Sequence, residues 1–408
     1  MGLQLCQLCE IAYFVTDKIP LENVLLTDYV TTDSLLPNKE GRCVAQNLPP
    51  QKCALTHYKC GDVLVANIRP YLKKIWFADR EGGASADILV FRAKSGHSQE
   101  FLYASLLQDT FYDYVMKGKK GSKMPRGDKE QIMRYSIPKL SLAEEACIGN
   151  MILSFCTKVN VNRLINDNLE AMAKQLYDYW FVQFDFPNED GKPYKSSGGA
   201  MVYNEKLKRE IPQGWHCYEL NKWLEIKSGF AFKSETYISK GKFKVVTIKN
   251  VQDHHLDTSS CDYVNEIPQG MKEWCSLSVN DRLISLTGNC GRLCIVTEKD
   301  LLLNQRVGLL ACNDEYIDYA YLLLSSEEYQ TLSNNLAKGA AQANLSPVDL
   351  CKNIAVLPKL DVLEKFNRQI KPIVASYIQN DIQIADLTKQ RDELLPLLMN
   401  GQATVNSD

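Results

Sequence analysis

The chain has 408 residues, more than the roughly 100 to 200 of a typical domain, so two or more domains are expected. Hydrophobic residues make up 45% of the sequence and charged residues 24%, which is typical of a folded globular protein and excludes a largely disordered chain. Lys and Arg number 47 against 49 Asp and Glu, a formal net charge of −2, so phosphate-binding groups do not cover the whole surface. This balance does not exclude a local basic surface.

Fourteen cysteines are spread along the chain, and the N-terminal segment lacks the basic region and cleavage site of a secretory signal. We therefore expect reduced thiols and a cytoplasmic location. No apolar run reaches the roughly 18 residues of a membrane span, so no membrane partner is predicted. Cys6 and Cys9 form the only Cys-x-x-Cys pair and lack the second pair that a structural zinc site needs. Neither a metal nor another cofactor is predicted.

The first half begins as a mixed α and β region and ends in a long helix. Apolar runs predict strands at Asp62–Ala66 and Ala86–Phe91, and a short helix is predicted at Gln99–Tyr114. After Pro138-Lys139-Leu140, apolar residues recur every three, four or seven positions and predict a helix from about Ser141 to Val182. The following segment, rich in Pro, Gly, Ser and Asn, indicates an exposed linker.

The second half repeats this order. Strands are predicted at Phe243–Ile248, Arg282–Leu286 and Leu293–Val296, followed by a helix at Ile317–Leu336. A second long helix is predicted over 361–401. Pro372 removes a backbone hydrogen bond, so the regular part of this helix is expected to begin only after Lys371.

Four short matches recur in both halves, in the same order and at a nearly constant offset. The halves therefore look like diverged copies. The matches are Gly61-Asp62-Val63-Leu64 with Asn280-Asp281-Arg282-Leu283, Phe101-Leu102-Tyr103 with Tyr319-Ala320-Tyr321, Lys117-Gly118 with Lys338-Gly339, and Ile137-Pro138-Lys139-Leu140 with Leu357-Pro358-Lys359-Leu360.

Both long helices carry an apolar stripe of the kind that two helices bury against each other. Asn162 and Asn380 fall on equivalent rows, and buried asparagines can fix the register of paired helices. We expect an antiparallel intramolecular pair; in the alternative, each helix packs on its own domain and both asparagines face solvent. The predicted seam consists of Phe155, Asn162, Leu169 and Leu176 in the first helix and Ile373, Asn380, Leu387 and Leu394 in the second.

The sequence lacks the motifs of several enzyme classes. Pro49-Pro50, the only Pro-Pro pair, follows Leu48 and precedes Gln51, so it is not the Pro-Pro-aromatic loop that grips adenine in a methyltransferase. Neither a Gly-rich dinucleotide motif nor a phosphate-binding Gly-Lys-Ser/Thr loop occurs. The five histidines have no partner at helical metal-ligand spacing. No catalytic residue is predicted.

A basic loop at Met116–Arg134 has a local excess of positive charge and glycines that allow close approach of a partner, which suits contacts to DNA phosphates. The matching loop of the second half carries amides able to pair with adenine instead. Two turns near Asn289 and Gln305 present further polar groups. The predicted DNA-binding residues are Lys117, Lys119, Lys120, Lys123, Arg126, Asn289, Arg292, Asn304, Gln305, Arg306, Lys338, Gln342 and Asn344.

Several segments carry a family resemblance that covers nearly the whole chain. Residues 169–187 (LEAMAKQLYDYWFVQFDFP), 191–195 (GKPYK) and 211–215 (IPQGW) resemble the central region of the specificity subunit of type I restriction-modification enzymes. Residues 303–307 (LNQRV), 339–346 (GAAQANLS) and 394–401 (LLPLLMNG) are similar to the second recognition domain and distal helix of that family. The first domain has no obvious Leu-Asn-Gln-Arg equivalent.

The resemblance implies an α+β protein with two similar mixed α/β target-recognition domains, separated by a pair of long antiparallel helices and related by a pseudo-twofold repeat. It also implies a bipartite, asymmetric double-stranded DNA target, with methylation (M) and restriction (R) subunits as partners. The expected domains are a first recognition domain at 1–140, a central helix at 141–186, a linker at 187–214, a second recognition domain at 215–360, a distal helix at 361–401 and a tail at 402–408.

Two other classes of function stay open on the sequence. One is a nuclease or methyltransferase with a cryptic active site, and the other is a scaffold that joins proteins without DNA. The repeat adds one expectation to the DNA-binding hypothesis: the helices determine the spacer between half-sites, and the domains determine the bases that are read.

Overall fold

The computed structural model describes residues 4–51, 53–121, 123–337 and 343–403. The chain divides into two compact units. Unit 1 comprises Met1–Asn162 and Gln383–Asp408, and unit 2 comprises Arg163–Ile382. Among the described residues, no helix is both long and apolar enough to cross a membrane.

Unit 1 contains short strands and helices, followed by the start of a long helix. The strands are β1 (Leu5–Gln7), β2 (Ala12–Phe14), β3 (Lys18–Pro20), β4 (Tyr29–Val30), β5 (Ala54–Tyr58), β6 (Val63–Ala66), β7 (Ile75–Phe77), β8 (Gly82–Ala84), β9 (Ile88–Ala93) and β10 (Ser136–Pro138). The helices are α1 (Leu8–Ile11), α2 (Gln99–Leu107), α3 (Asp109–Lys117), α4 (Lys129–Met133) and the first part of α5 (Leu142–Tyr177).

Unit 2 repeats this order after an additional hairpin. Its strands are β11 (Met201–Asn204), β12 (Arg209–Pro212), β13 (His216–Glu219), β14 (Glu225–Ser228), β15 (Phe243–Val246), β16 (Asp262–Val264), β17 (Ser276–Leu277), β18 (Arg282–Ser285), β19 (Leu293–Ile295), β20 (Leu301–Leu303), β21 (Val307–Ala311) and β22 (Ile354–Leu357). Its helices are α6 (Ile317–Ser325), α7 (Glu327–Ala337), α8 (Pro347–Cys351) and most of α9 (Leu360–Met399), whose last part belongs to unit 1.

The strand order of one sheet is the same in both units. It is β2-β9-β6-β7 in unit 1 and β14-β21-β18-β19 in unit 2, with antiparallel pairing throughout. A second sheet has the common order β5-β8-β4 or β17-β20-β15, extended by β3 in unit 1 and by β16 at the other edge in unit 2. The internal repeat predicted from four short matches is therefore a repeat of topology.

Each unit buries side chains on both faces of the first sheet. In β6, Val63 and Val65 pack with α2 and α3, whereas Leu64 and Ala66 face the second sheet. This alternation follows from the period of two along a strand. It explains why these strands are apolar without interruption and why they were recognisable in the sequence.

The two predicted short helices are each interrupted. The helix predicted at 99–114 breaks at Gln108 and the one predicted at 317–336 at Ser326, both of which have extended backbone. The Ser326 hydroxyl accepts a hydrogen bond from the backbone N–H of Tyr329 and so begins a new helix. Both breaks lie at equivalent positions of the repeat.

Pro372 does not delay the second long helix, which runs without a break from Leu360 to Met399. Its ring lies at an exposed position, and the fully buried Phe366 and Ile370 precede it while the buried Tyr377 follows it. Packing on both sides of the proline outweighs the one backbone hydrogen bond that it removes. The expected start after Lys371 was therefore wrong.

The segment at 187–214 is mostly exposed but has a defined structure. It contains the β11–β12 hairpin, and Tyr194 stacks on Phe186 with ring centroids 4.7 Å apart. Asp185 is buried and accepts hydrogen bonds from the backbone and hydroxyl of Ser196 at 2.7 and 2.6 Å. Composition predicted the exposure of this segment but not its hairpin.

The long helices contact each other within each unit. In unit 1, the guanidinium of Arg391 lies 3.9 Å from the sulfur of Cys156, and the Asn162 amide donates to Gln383 at 3.2 Å. In unit 2, Asn166 accepts a hydrogen bond from the Asn380 amide at 3.1 Å. Residue numbers rise along α5 as they fall along α9, so the helices are antiparallel.

Candidate nucleic-acid interface

Three loops singled out in the second half meet where β18 ends. The backbone N–H of Leu286 donates to the carbonyl of Arg306 at 2.9 Å, and the N–H of Leu345 donates to the carbonyl of Leu286 at 2.7 Å. The N–H of Gly288 donates to the carbonyl of Ala343 at 3.1 Å. Residues far apart in the sequence are thus brought to one edge of the sheet.

The exposed side chains of this cluster are polar. Asn289, Gln305, Arg306 and Asn344 are all exposed. Lys338 and Gln342, also predicted as DNA contacts, lie outside the described residues.

Asn304 is a correction to the predicted contact set, because it is only 8% exposed. Its amide donates to the Tyr237 hydroxyl at 3.3 Å, and its side-chain oxygen accepts from the N–H of Arg306 at 3.1 Å. It therefore shapes the turn from inside and presents Gln305 and Arg306 outward.

A neighbouring loop holds Arg292 in place. The guanidinium donates to Gln252 at 2.9 Å and forms an ion pair with Asp253 at 3.2 Å. Asn289, with its amide oxygen turned toward the guanidinium, accepts at 3.2 and 3.3 Å. Arg292 thus links two loops and is half-buried.

This loop is fixed to the second long helix. The Tyr377 hydroxyl donates to the carbonyl of His254 at 2.8 Å, and the His255 ring lies 3.7 Å from Asp381. Burial lowers the pKa of His254 below the ordinary value, so a neutral ring is favoured there. Arg292 is thereby positioned, through the loop, by α9.

Unit 1 has the same backbone arrangement at the equivalent positions of the repeat. The N–H of Asn67 donates to the carbonyl of Asp87 at 2.8 Å, and the N–H of Gly127 donates to the carbonyl of Asn67 at 3.3 Å. The N–H of Arg69 donates to the carbonyl of Pro125 at 2.8 Å. The basic loop of unit 1 therefore occupies the place that residues 343–345 occupy in unit 2.

The cations of this loop are exposed, with one ion pair to the helix that follows. Lys120 lies 2.5 Å from Asp128, the N-cap of α4, and its backbone exchanges two hydrogen bonds with Arg126 at 2.8 and 2.9 Å. Arg126 contacts Asp87 at 3.0 Å. The exposed cations are Lys117, Lys119, Lys120, Lys123 and Arg126.

Asp87 was not predicted as a site residue, because only the backbone contacts show which residue it corresponds to in unit 2. The internal repeat aligns Ser85-Ala86-Asp87 with Asn304-Gln305-Arg306. Sequence similarity is absent there, so the Leu-Asn-Gln-Arg equivalent was not found. The shared backbone bonds identify it.

Known proteins similar to this chain have names that refer to DNA specificity. Residues 212–389 match the family model described as type I restriction modification DNA specificity domain. The chain is 28% identical to the type I restriction enzyme MjaIX specificity subunit of Methanocaldococcus jannaschii, covering 76% of this chain and 71% of that protein. It is 23% identical to the HindI specificity subunit of Haemophilus influenzae, covering 92% and 94%.

The crystal structure of the type I restriction-modification S subunit from M. genitalium has the same fold. The TM-score is 0.57 at 14% sequence identity, and the match covers 98% of this chain and 96% of that one. Residues 212–389 carry the type I restriction modification DNA specificity domain, and over most of its length the chain is similar to specificity subunits of type I restriction enzymes. Specificity subunits are the non-catalytic DNA-recognition components of these enzymes, so the comparisons support DNA recognition and do not support the enzyme alternative.

The eight predicted seam residues are all half-buried. The most buried positions lie one residue or one turn away, for example Cys156 and Tyr177 in α5 and Leu395 in α9. Within each unit the two helices pack on the other buried residues of that unit as well as on each other, so the most buried positions lie beside the predicted seam.

The buried seam asparagine is Asn166 and not Asn162. Asn166 is 6% exposed and also donates to the carbonyl of Tyr377 at 3.4 Å. Equivalent residues of an antiparallel repeat do not face each other: Asn162 lies opposite Gln383, and Asn380 lies opposite Asn166. The expected Asn162–Asn380 pair is therefore not formed.

A groove of about 620 Å³ in unit 2 is the strongest place to look for a cryptic active site. Burial, with the nearby Asp167 carboxylate, raises the pKa of Glu170 in this groove to about 8. Tyr177 and Tyr377 also line it. Within the described ranges, no group of three metal-ligating side chains is found. The lining also includes Asp167, Asp178 and His254, so the groove holds several titratable groups, and it is the comparisons with known proteins that do not support the enzyme alternative.

Proposed function

We propose that the specificity subunit reads a bipartite, asymmetric DNA target, with one recognition domain for each half-site. The proposed domains are those expected from the sequence, with recognition domains at 1–140 and 215–360 and helices at 141–186 and 361–401. The observation that carries the proposal is the shared loop framework. The same backbone hydrogen bonds hold Arg126 and Asp87 in unit 1, and Asn344 and Arg306 in unit 2.

Different side chains on one framework suit two modules that read different sequences. Arg pairs with guanine, and Asn pairs with adenine, through two hydrogen bonds in the major groove. The lysines of the unit 1 loop suit phosphate contacts, which position a protein on DNA without reading its sequence. A protein-only scaffold has no need for this distribution.

We further propose that the two long helices dock methylation and restriction subunits in the cytoplasm. The support is the naming of the relatives as specificity subunits of type I restriction enzymes. In this proposal the helices determine the spacer between half-sites, because each is one uninterrupted element from end to end.

The phosphate contacts are tested by the salt dependence of duplex binding. Log affinity falls with log salt concentration by about 0.9 for each phosphate contact. In the full chain co-purified with its methylation subunits, Lys119→Ala with Lys123→Ala should weaken binding to all duplexes and flatten the slope by up to about two units. Lys120 is left intact because its removal would also unpair Asp128.

The matched control is Lys59→Ala with Lys94→Ala. Both lysines are exposed, but Lys59 precedes β6 and Lys94 follows β9, at the opposite end of these strands from the loop cluster. This control should leave the slope unchanged. Equal slopes for the two double variants would remove the basic loop from the interface, and a salt-independent affinity of the unmodified chain would favour the scaffold.

A further inference from the structure

A carboxylate lies among the cations of the unit 1 loop cluster. Asp87 sits in the turn before β9, and its side chain is 42% exposed. A carboxylate close to a DNA backbone is repelled by the phosphates. Such a group is useful at a DNA surface if it accepts a hydrogen bond from a base or orients a cation.

Asp87 already has a cationic partner. It accepts a hydrogen bond from Nη2 of Arg126 at 3.0 Å, and the Arg126 side chain is 57% exposed. The guanidinium has further N–H donors directed away from this contact. One part of the group is therefore held, and the rest is accessible.

The backbone of Arg126 is held as firmly as its side chain. Arg126 exchanges two hydrogen bonds with Lys120, while the neighbouring Pro125 and Gly127 bond to Arg69 and Asn67. Gly127 is required at this point: a Cβ there would lie 2.8 Å from Val115 and 3.0 Å from the Asn67 side-chain oxygen. Arg126 is thus held both at its backbone and at its guanidinium group.

We propose that Arg126, oriented by Asp87, specifies a guanine in the first half-site, an inference that rests on the proposed DNA-reading function. The planar guanidinium matches O6 and N7 of guanine with two parallel hydrogen bonds, which an ammonium cannot reproduce. Asp87 acts as a positioning residue. It fixes the plane of the guanidinium before DNA binds, so less conformational entropy is lost on binding.

The equivalent place in unit 2 differs in a way that supports this assignment. The internal repeat puts Arg306 at the position of Asp87 and Asn344 at that of Arg126. Unit 2 therefore has an amide where unit 1 has the guanidinium, and a cation where unit 1 has the carboxylate. The proposed pair of a guanidinium oriented by a carboxylate is therefore found at these positions of unit 1 and not at those of unit 2.

The test uses the full chain co-purified with its methylation subunits and a panel of duplexes carrying each base at every half-site position. Arg126→Lys keeps the charge but loses the two parallel hydrogen bonds. It should reduce discrimination at one position of the first half-site by about 5- to 150-fold and leave the salt slope unchanged.

Asp87→Asn should weaken preference at that same position by a smaller factor, without lowering affinity for random DNA, since it removes a negative charge. The control is Asp79→Asn, another exposed carboxylate of unit 1 paired with an arginine, Arg80, and outside the loop cluster. It should change neither quantity. Unchanged thermal melting of all three variants establishes that they fold.

Three results would overturn the inference while leaving the proposed function intact. Arg126→Lys could keep the full base preference, the affected position could prefer a base other than guanine, or Arg126→Ala could weaken all duplexes equally and flatten the salt slope by about one unit. The last result would make Arg126 a phosphate contact. If the unmodified complex shows no base preference at any position, the proposed function itself fails.

Discussion

At the start of equivalent strands, the two units bury side chains of opposite charge. In unit 1, Asp62 precedes β6 at 1% exposure and accepts two hydrogen bonds of 2.7 Å from Arg92 of β9. In unit 2, Arg282 begins β18 at 1% exposure and pairs with Asp318 of α6 at 2.6 Å.

The turn before each strand is nevertheless the same. Asp62 accepts from the N–H of Lys59, and Asp281 accepts from the N–H of Ser278, both at 2.8 Å. Unit 2 has kept the turn and has no arginine at the place of Arg92, so burial raises the pKa of Asp281. The comparison teaches that the repeat preserves backbone contacts and leaves the distribution of charge to each unit. The same holds for Asp87 and Arg306.

The largest expected effect comes from unpairing Arg282. Asp318→Asn leaves a buried guanidinium without its counter-charge and should cost unit 2 about 3 to 5 kcal/mol of unfolding free energy. Hydrogen exchange measured by mass spectrometry reads the two units separately, and the loss of protection should be concentrated in unit 2.

The control for this prediction removes both partners. Arg282→Met with Asp318→Leu should recover much of the stability, because apolar side chains of similar volume replace the pair. A double variant as unstable as the single one would show that packing, and not the unpaired charge, causes the loss.

A smaller effect is expected on DNA binding, where a change in unit 2 should alter the bases read at one half-site only. Asn344→Ala should cost about 1 to 3 kcal/mol of binding free energy on the specific duplex and relax only the second half-site. Asn313→Ala is the control, because Asn313 is exposed beyond the other end of β21. Equal losses on specific and random DNA would reassign Asn344 to backbone contact.

The smallest effect concerns the helix pair. Asn166→Ala removes a buried hydrogen bond in unit 2 and should cost about 1 kcal/mol of unfolding free energy. Asn162→Ala removes an exposed one in unit 1 and should cost less than about 0.5 kcal/mol. Denaturant titration of both variants gives the difference. Equal costs would contradict the assignment of Asn166 as the buried member of the seam.

The periodicity of apolar residues predicted the strands and helices whose formation depends on local burial. The five strand-like runs coincide with strands β6, β9, β15, β18 and β19, and both long helices are present, because apolar spacing reports burial directly. It did not predict the break at Ser326, which depends on a cap, or the burial of Asn304, which depends on Tyr237 from a distant segment.

The candidate interface was predictable in part for the same reason. Basic and amide-rich loops were visible as composition, but Asp87 became recognisable only through backbone bonds that no sequence pattern contains. The choice between Asn162 and Asn166 needed the antiparallel register. In each case the missing information was a contact between residues far apart in the chain.

Unit 1 is assembled from two stretches of chain, and this has a consequence for biosynthesis. Leu395, Leu398 and Met399 are buried in the same cluster as Phe101 and Ile152. The whole of unit 2 is translated between Asn162, where the first stretch ends, and Gln383, where the second begins. At about 5 to 20 residues per second, a ribosome needs on the order of 10 to 45 seconds to cover that distance. During this interval the apolar surface of the first stretch stays exposed. A nascent chain halted just before Gln383 should therefore be a preferred substrate for chaperones, even though all of unit 2 has been synthesised.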